Sequence, residues 1–239
     1  MLFRSTTTIK DANRGKPGDA THFSPPWEHG FDVCFSTESK VPTWDPMLAP
    51  RTASGTYWSA LQPGDPAQPY GTHYWVGPGQ VETDNLEGDD SRVIMDRAIP
   101  FIRRATEQKK PFLAVIWFHA PHLPVVAGPT YGDMYAGQSD YARHYLGCIT
   151  AMDEQMGRLR QALADAGVAD NTMLWFSSDN GPEGDETAPG RTNGLRGRKR
   201  SLYEGGVRVP GLLVWPRQVA AGRVTRSEER RVGKECRSR

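Results

Sequence analysis

The chain predicts an α/β fold, a layered sandwich with a largely parallel central sheet flanked by helices. Three features carry this expectation: two long segments with apolar residues at helical spacing, several apolar runs short enough to be strands, and the alternation of the two along residues 90–215. A length of 239 residues suits one domain with a substantial core. With 37% apolar and 24% charged residues, the composition is that of an ordinary globular protein.

Residues 11–90 read as loops, punctuated by Lys16-Pro-Gly, Ser24-Pro-Pro, Pro63-Gly-Asp-Pro and Gly77-Pro-Gly. Aromatic residues recur there: Trp27, Phe31, Trp44, Tyr57, Trp58, Tyr74 and Trp75. They are either flat rings offered to a sugar or packing in a region poor in regular structure, and packing is the favoured expectation. Asp89, Asp90 and Ser91 can cap a helix through Val93, Ile94, Ala98, Phe101 and Ile102, with Pro100 expected to kink it. The continuous apolar run 111–118 then predicts a strand buried on both faces. A long helix follows over 141–166, lined by Tyr145, Ile149, Met152, Met156, Leu159 and Leu163 and ended by Gly167. Further buried strands are predicted over 172–177 and 209–215. In sheets of this kind, ligands bind beyond the carboxyl ends of the strands.

Three groups of polar residues stand there. The first strand runs into His119-Ala-Pro-His-Leu-Pro124, where prolines on both sides of His122 stiffen the loop. Such a histidine is either a structural residue or one that holds and returns a proton near neutral pH. The second strand runs into Ser178-Asp179-Asn180-Gly181-Pro182. Asp179 and Asn180 form either a plain Asp-Asn-Gly turn or two adjacent oxygen donors for a hard cation such as calcium. The third group is the glycine-rich stretch 194–210, where Arg196, Arg198, Lys199, Arg200 and Arg208 crowd together before a strand. It is either a solvated basic loop or a receptor for an oxyanion such as sulfate or phosphate.

Taken together, Trp175–Pro182 and Gly197–Gly206 make the chain resemble the sulfatase family of the alkaline-phosphatase-like superfamily, in particular N-acetylgalactosamine-6-sulfatase-like members, over residues 6–225. The resemblance implies a sulfuric ester hydrolase with a sulfated saccharide as substrate and Ca²⁺ as cofactor. It implies Asp179 and Asn180 as metal ligands, and His122 and Lys199 as catalytic residues, His122 at the leaving group and Lys199 on the sulfate. It also implies export to the periplasm or beyond the cell. The family's nucleophile is a formylglycine made from cysteine in a Cys-x-Pro/Ser-x-Arg motif, and neither Cys34 nor Cys148 has that context. The early aspartate pair and the Gly-x-Trp-His-x-Gly segment of the family are missing as well. The expectation is therefore a truncated catalytic domain that does not turn over by itself. Alternatives are a non-catalytic binder of sulfated polysaccharide, or a phosphodiesterase or phosphatase relative. Asn180 weighs against the latter, because imidazole in its place would suit zinc whereas an amide oxygen suits calcium.

Both ends read as foreign. The tail 226–239 holds six basic and three acidic residues around one large apolar residue, Val232, and resembles a translated DNA sequencing adapter. Residues 2–5 resemble the opposite adapter strand, which leaves 6–225 as the expected natural piece. The formal charge of +1 gives no reason to expect nucleic acid, and no apolar stretch reaches the ~20 residues of a membrane span. No signal peptide opens the sequence. Cys34, Cys148 and Cys236 are too few and too far apart for a disulfide framework or a zinc site.

Overall fold

The structure, a computed structural model, describes residues 2–3, 25–52, 58–60 and 65–224. The tail 226–239, residues 4–5, Tyr57 and the side chain of Trp58 lie outside the described residues. In chain order the strands are β1 (Leu2–Phe3), β2 (Ser36–Thr37), β3 (Arg51–Thr52), β4 (Trp58–Ser59), β5 (Tyr74–Gly77), β6 (Gln80–Glu82), β7 (Val115–Ile116), β8 (Leu174–Ser177) and β9 (Gly211–Val214). The helices are α1 (Asp90–Glu107), α2 (Pro129–Gly132), α3 (Asp140–Asp165) and α4 (Glu204–Val207). No helix among the described residues is long and apolar enough to cross a membrane.

The α/β class holds. β1 pairs with β7 in parallel, β2, β5 and β6 form an antiparallel sheet, β3 pairs with β4, and β8 with β9 antiparallel.

Both long helices form where their capping residues predict. The Asp89 carboxylate accepts the Arg92 N–H at 3.0 Å and starts α1. Pro100 lies within α1 on its exposed face, where a missing N–H costs least, and the helix continues to Glu107. Ser139 caps α3, and Gly167 ends it at φ +69°. There Val168 N–H donates to Leu163 O (3.1 Å) and Gly167 N–H to Ala164 O (2.9 Å), a Schellman closure that satisfies two orphan carbonyls.

The core lies between these helices and the 34–43 segment. Val93, Ile94, Met95, Ala98 and Ile102 of α1 meet Leu159, Ala162 and Leu163 of α3, with Phe35 stacked on Tyr74 at 4.1 Å between ring centroids. Burying each large side chain contributes about 1.5–3 kcal/mol. The aromatic residues of the loop region that can be placed serve packing: Tyr74 is buried, and the Trp44 ring occupies the space a side chain at Gly128 would need.

Three expectations about the strands need correction. The runs 111–118, 172–177 and 209–215 shrink to β7, β8 and β9, and none is buried on both faces. Phe112, Ile116, Phe118 and Leu174 pack against the α1–α3 core, but Leu113 (71% exposed), Trp117, Trp175 (63%) and Leu212 face outward. The reason is coverage: α1 and α3 lie against one face, and no described element lies against the other.

Candidate functional site

The loop after β7 is fixed from below. His119 is buried; its Nδ1–H donates to Asp90 Oδ2 at 2.9 Å, and Nε2 lies 3.1 Å from Thr37 Oγ1. Asp90 also accepts the Tyr74 hydroxyl. A carboxylate at the first position of α1 thus orients the imidazole that begins the His119–Pro124 loop.

His122 sits on the outer side of that loop and is exposed. Its backbone N–H donates to His119 O at 2.6 Å, and its Nδ1 lies 2.6 Å from Leu123 O. A carbonyl only accepts, so Nδ1 carries a proton and Nε2 is the nitrogen that can gain or lose one. Desolvation pulls the His122 pKa below the ordinary histidine value. The Leu123 carbonyl opposes that shift, and electrostatic contributions from Lys199, Lys40 and His119 add to it. The Lys199 charge thus acts on His122 although the two residues are 77 positions apart in sequence.

The turn after β8 and the basic loop interlock through glycine. Gly181 N–H donates to Gly206 O (2.8 Å), Lys199 N–H to Pro182 O (3.1 Å) and Gly205 N–H to Arg196 O (2.8 Å). A Cβ on Gly181 would stand 1.9 Å from Gly205 O, and one on Gly205 would stand 1.9 Å from Gly197 O. Only glycine permits this approach of backbones. Asp179, Asn180 and Lys199 therefore belong to one packed unit at the end of β8.

The five cations read from sequence as one cluster separate into different roles. Arg196 stacks on the Tyr203 ring at 3.8 Å from its centroid. Arg198 turns inward, donating to Gly190 O (2.7 Å) and Glu183 O (3.2 Å), and Arg208 pairs with Glu204 at 3.1 Å. Arg200 pairs with Glu183, whose second oxygen lies 3.7 Å from Lys199 Nζ. Desolvation raises the Glu183 pKa, but bonds from Arg200 and Gly184 N–H, with the charges of Arg200 and Lys199, outweigh it and hold the carboxyl below its ordinary value. Lys199 is thus the cation of the cluster whose charge also acts on His122.

Asp179 is exposed and Asn180 half-buried on the turn after β8. Their oxygens have the chemistry calcium prefers, yet two donors fall short of the 6–8 it takes. Among the described residues no group of three His, Cys, Asp or Glu side chains could hold a metal. The described donors do not complete a calcium shell, and no chemical step is routed through a metal below. Cys34 and Cys148 are buried, and burial raises both thiols, so neither is poised as a nucleophile.

Sequence reasoning missed Lys40, Glu183 and the pair Glu38–His73. Glu38 is buried and accepts His73 N–H (3.0 Å), His73 Nδ1–H (3.2 Å) and Trp75 Nε1–H (2.8 Å). None belongs to a recognisable motif, and their roles arise only from tertiary contact.

The Sulfatase family matches residues 17–233. The chain belongs to the sulfatase family. Human N-acetylgalactosamine-6-sulfatase is 31% identical over 212 residues, 84% of this chain and 36% of that protein. Mouse steryl-sulfatase is 37% identical over 143 residues, 57% of this chain and 22% of that protein. Among solved structures, Ps i-CgsB in complex with k-i-k-neocarrahexaose superposes with a TM-score of 0.69 at 25% identity, covering 92% of this chain and 45% of that one. This sulfatase chain thus spans between 21% and 40% of the length of curated relatives it matches.

Proposed function

We propose that this chain carries the leaving-group and sulfate-binding side of a sulfuric ester hydrolase acting on sulfated glycans. The observation that carries the reading is the packing of the Lys199 loop onto the turn after β8, with the Lys199 charge acting on His122, in a chain of the sulfatase family. Relatives named N-acetylgalactosamine-6-sulfatase and a neighbour in complex with k-i-k-neocarrahexaose support a saccharide substrate.

In this reading Lys199 offsets the charge on the sulfate oxygens, an electrostatic contribution that grows as the site sheds water. The orientation of His122 leaves Nε2 to donate a proton to the departing sugar oxygen. A pKa below the ordinary histidine value makes the imidazolium a stronger acid, and an anion bound beside it restores part of its proton affinity. Asp179 and Asn180 supply two oxygen donors toward a calcium ion, whose chemistry would be to polarise the sulfate. The nucleophile is not among the described residues, so the chain by itself is expected to be inactive.

The test is binding rather than turnover. Inorganic sulfate titrated into the chain is expected to shift the His122 imidazole resonance and raise its pKa, and Lys199→Ala to weaken that response about tenfold, the equivalent of ~1.4 kcal/mol. A His122 signal indifferent to sulfate overturns the reading. Ca²⁺-dependent hydrolysis of an aryl sulfate by the chain alone would overturn the expectation of inactivity.

A further inference from the structure

The chain at β5 sends its side chains to two sides. Tyr74 turns inward, its hydroxyl bonded to Asp90 and its ring centroid 6.3 Å from that of His119. His73 and Trp75, the residues before and after it, point the other way, as strand alternation requires. Their rings meet edge to face, with centroids 5.8 Å apart and planes at 68°. Glu38 stands behind both, and its side chain is only 2% exposed. Oε1 accepts the His73 Nδ1–H at 3.2 Å, while Oε2 accepts the His73 backbone N–H at 3.0 Å and the Trp75 Nε1–H at 2.8 Å. A carboxylate withdrawn from water is costly unless its lone pairs are met, and here three donors meet them. The His73 side chain is nevertheless 47% exposed, and its Nε2 makes no hydrogen bond among the described residues.

We infer that His73 and Trp75, held by Glu38, form a subsite for an uncharged sugar ring of the glycan, distinct from the ring that bears the sulfate. The inference rests on the sulfatase reading above and adds to it a place where a second sugar is recognised. With Nδ1–H committed to Glu38, neutral His73 offers Nε2 as an acceptor, which matches a sugar hydroxyl and not the oxygens of a sulfate. The buried negative charge behind the imidazole and the indole disfavours an anion there as well. Trp75, half-buried beside it, supplies an apolar surface for the C–H groups of the ring. Glu38 orients both side chains in advance, so binding does not have to immobilise them. The subsite is also tied to the His122 loop. Thr37, next to Glu38, has its Oγ1 3.1 Å from His119 Nε2, and His119 O accepts the His122 N–H. His119 packs on the Tyr74 side of β5, whereas His73 and Trp75 lie across the strand from it. The ring they hold is therefore not the ring at His122.

The test follows the His73 imidazole and Trp75 indole N–H resonances by NMR in the full chain while neutral β-galactotetraose is added. The relatives named N-acetylgalactosamine-6-sulfatase set the galacto configuration of this probe. Both signals are expected to shift saturably, and inorganic sulfate to leave them in place. His73→Asn keeps a donor for Glu38 and removes the Nε2 acceptor; affinity is expected to fall about fivefold, the loss of one neutral hydrogen bond. Glu38→Gln is expected to lower affinity about threefold by itself and not at all in the His73→Asn background, a dependence that a merely structural role would not produce. The resonances of buried His119 and His144 report that each variant is folded. Unchanged affinity in His73→Asn, or no response of the wild-type chain to the tetrasaccharide, would overturn the subsite. A His122 response to sulfate in the same sample would then leave the sulfatase reading standing. A tetrasaccharide response at His73, with a His122 signal indifferent to sulfate, would support the subsite and remove that reading instead.

Discussion

The α1–α3 layer and the β8–β9 ribbon are both rich in large apolar residues, yet they meet opposite fates. In the helical layer Val93, Met95 and Ala98 have no exposure at all, and Ile94 has 1%. In the ribbon Trp175 is 63% exposed and Leu212 61%, and all four residues of β9 face solvent. Apolar content does not by itself decide burial; a second layer must be present to cover it. The helices cover one another and the 34–43 segment, whereas β8 and β9 hold mainly each other.

The largest effect should come from breaking the buried side. Ile94→Ala or Ile102→Ala is expected to cost about 2–5 kcal/mol in urea denaturation, because a cavity opens in a site with no freedom to collapse. A cost below ~1 kcal/mol would show that the two regions differ less than their exposures indicate.

The second test uses pH. Burial pushes the Asp89 carboxyl up to about 7, with the Asp90 charge adding to it and the Arg92 N–H bond opposing. The folded chain therefore holds this proton more tightly than the unfolded chain, where an aspartate titrates near ~3.9. The resulting stability is complete below about pH 4 and is lost as pH rises toward 7, a contribution of roughly 3–4 kcal/mol across the window. Asp89→Asn, which keeps an oxygen acceptor for Arg92 N–H, should flatten that part of the pH profile while leaving the response of other groups in place.

Gly205→Ala sharpens the contrast within the site. Its Cβ would meet the Gly197 carbonyl, a backbone atom with no rotamer to yield. A loss of about 1–3 kcal/mol is expected, together with a weakened sulfate response at His122. The smallest effect belongs to the ribbon. Trp175→Ser or Leu212→Ser should change stability by no more than ~0.5 kcal/mol, while lowering self-association measured by sedimentation. A large loss of stability from either would mean that the ribbon face is packed.

Much of this contrast was legible in the sequence, and the remainder was hidden for physical reasons. α1 and α3 followed from periodicity and from Asp89, Asp90 and Gly167, because those signals act within a turn or two of their own position. The outward faces of β7, β8 and β9 were misread, since an apolar run reports a preference for burial and not the presence of a covering layer. In the site, His122, Asp179, Asn180 and Lys199 stood out by their motifs. The dispersal of Arg196, Arg198, Arg200 and Arg208 to separate partners did not, because each partner is chosen by the folded loop. Lys40 and Glu38 carried no local signature at all.

The glycine contacts joining residues 181, 197, 205 and 206 have a thermodynamic consequence. With the backbones already in contact, Asp179, Asn180 and Lys199 occupy fixed stations before any ligand arrives, so little loop-ordering entropy remains to be lost on association. Calorimetry should then find sulfate capture with only a small entropic penalty from the protein. The four positions without side chains act as a gauge block, setting the spacing between the ammonium group on one loop and the carboxylate on the other.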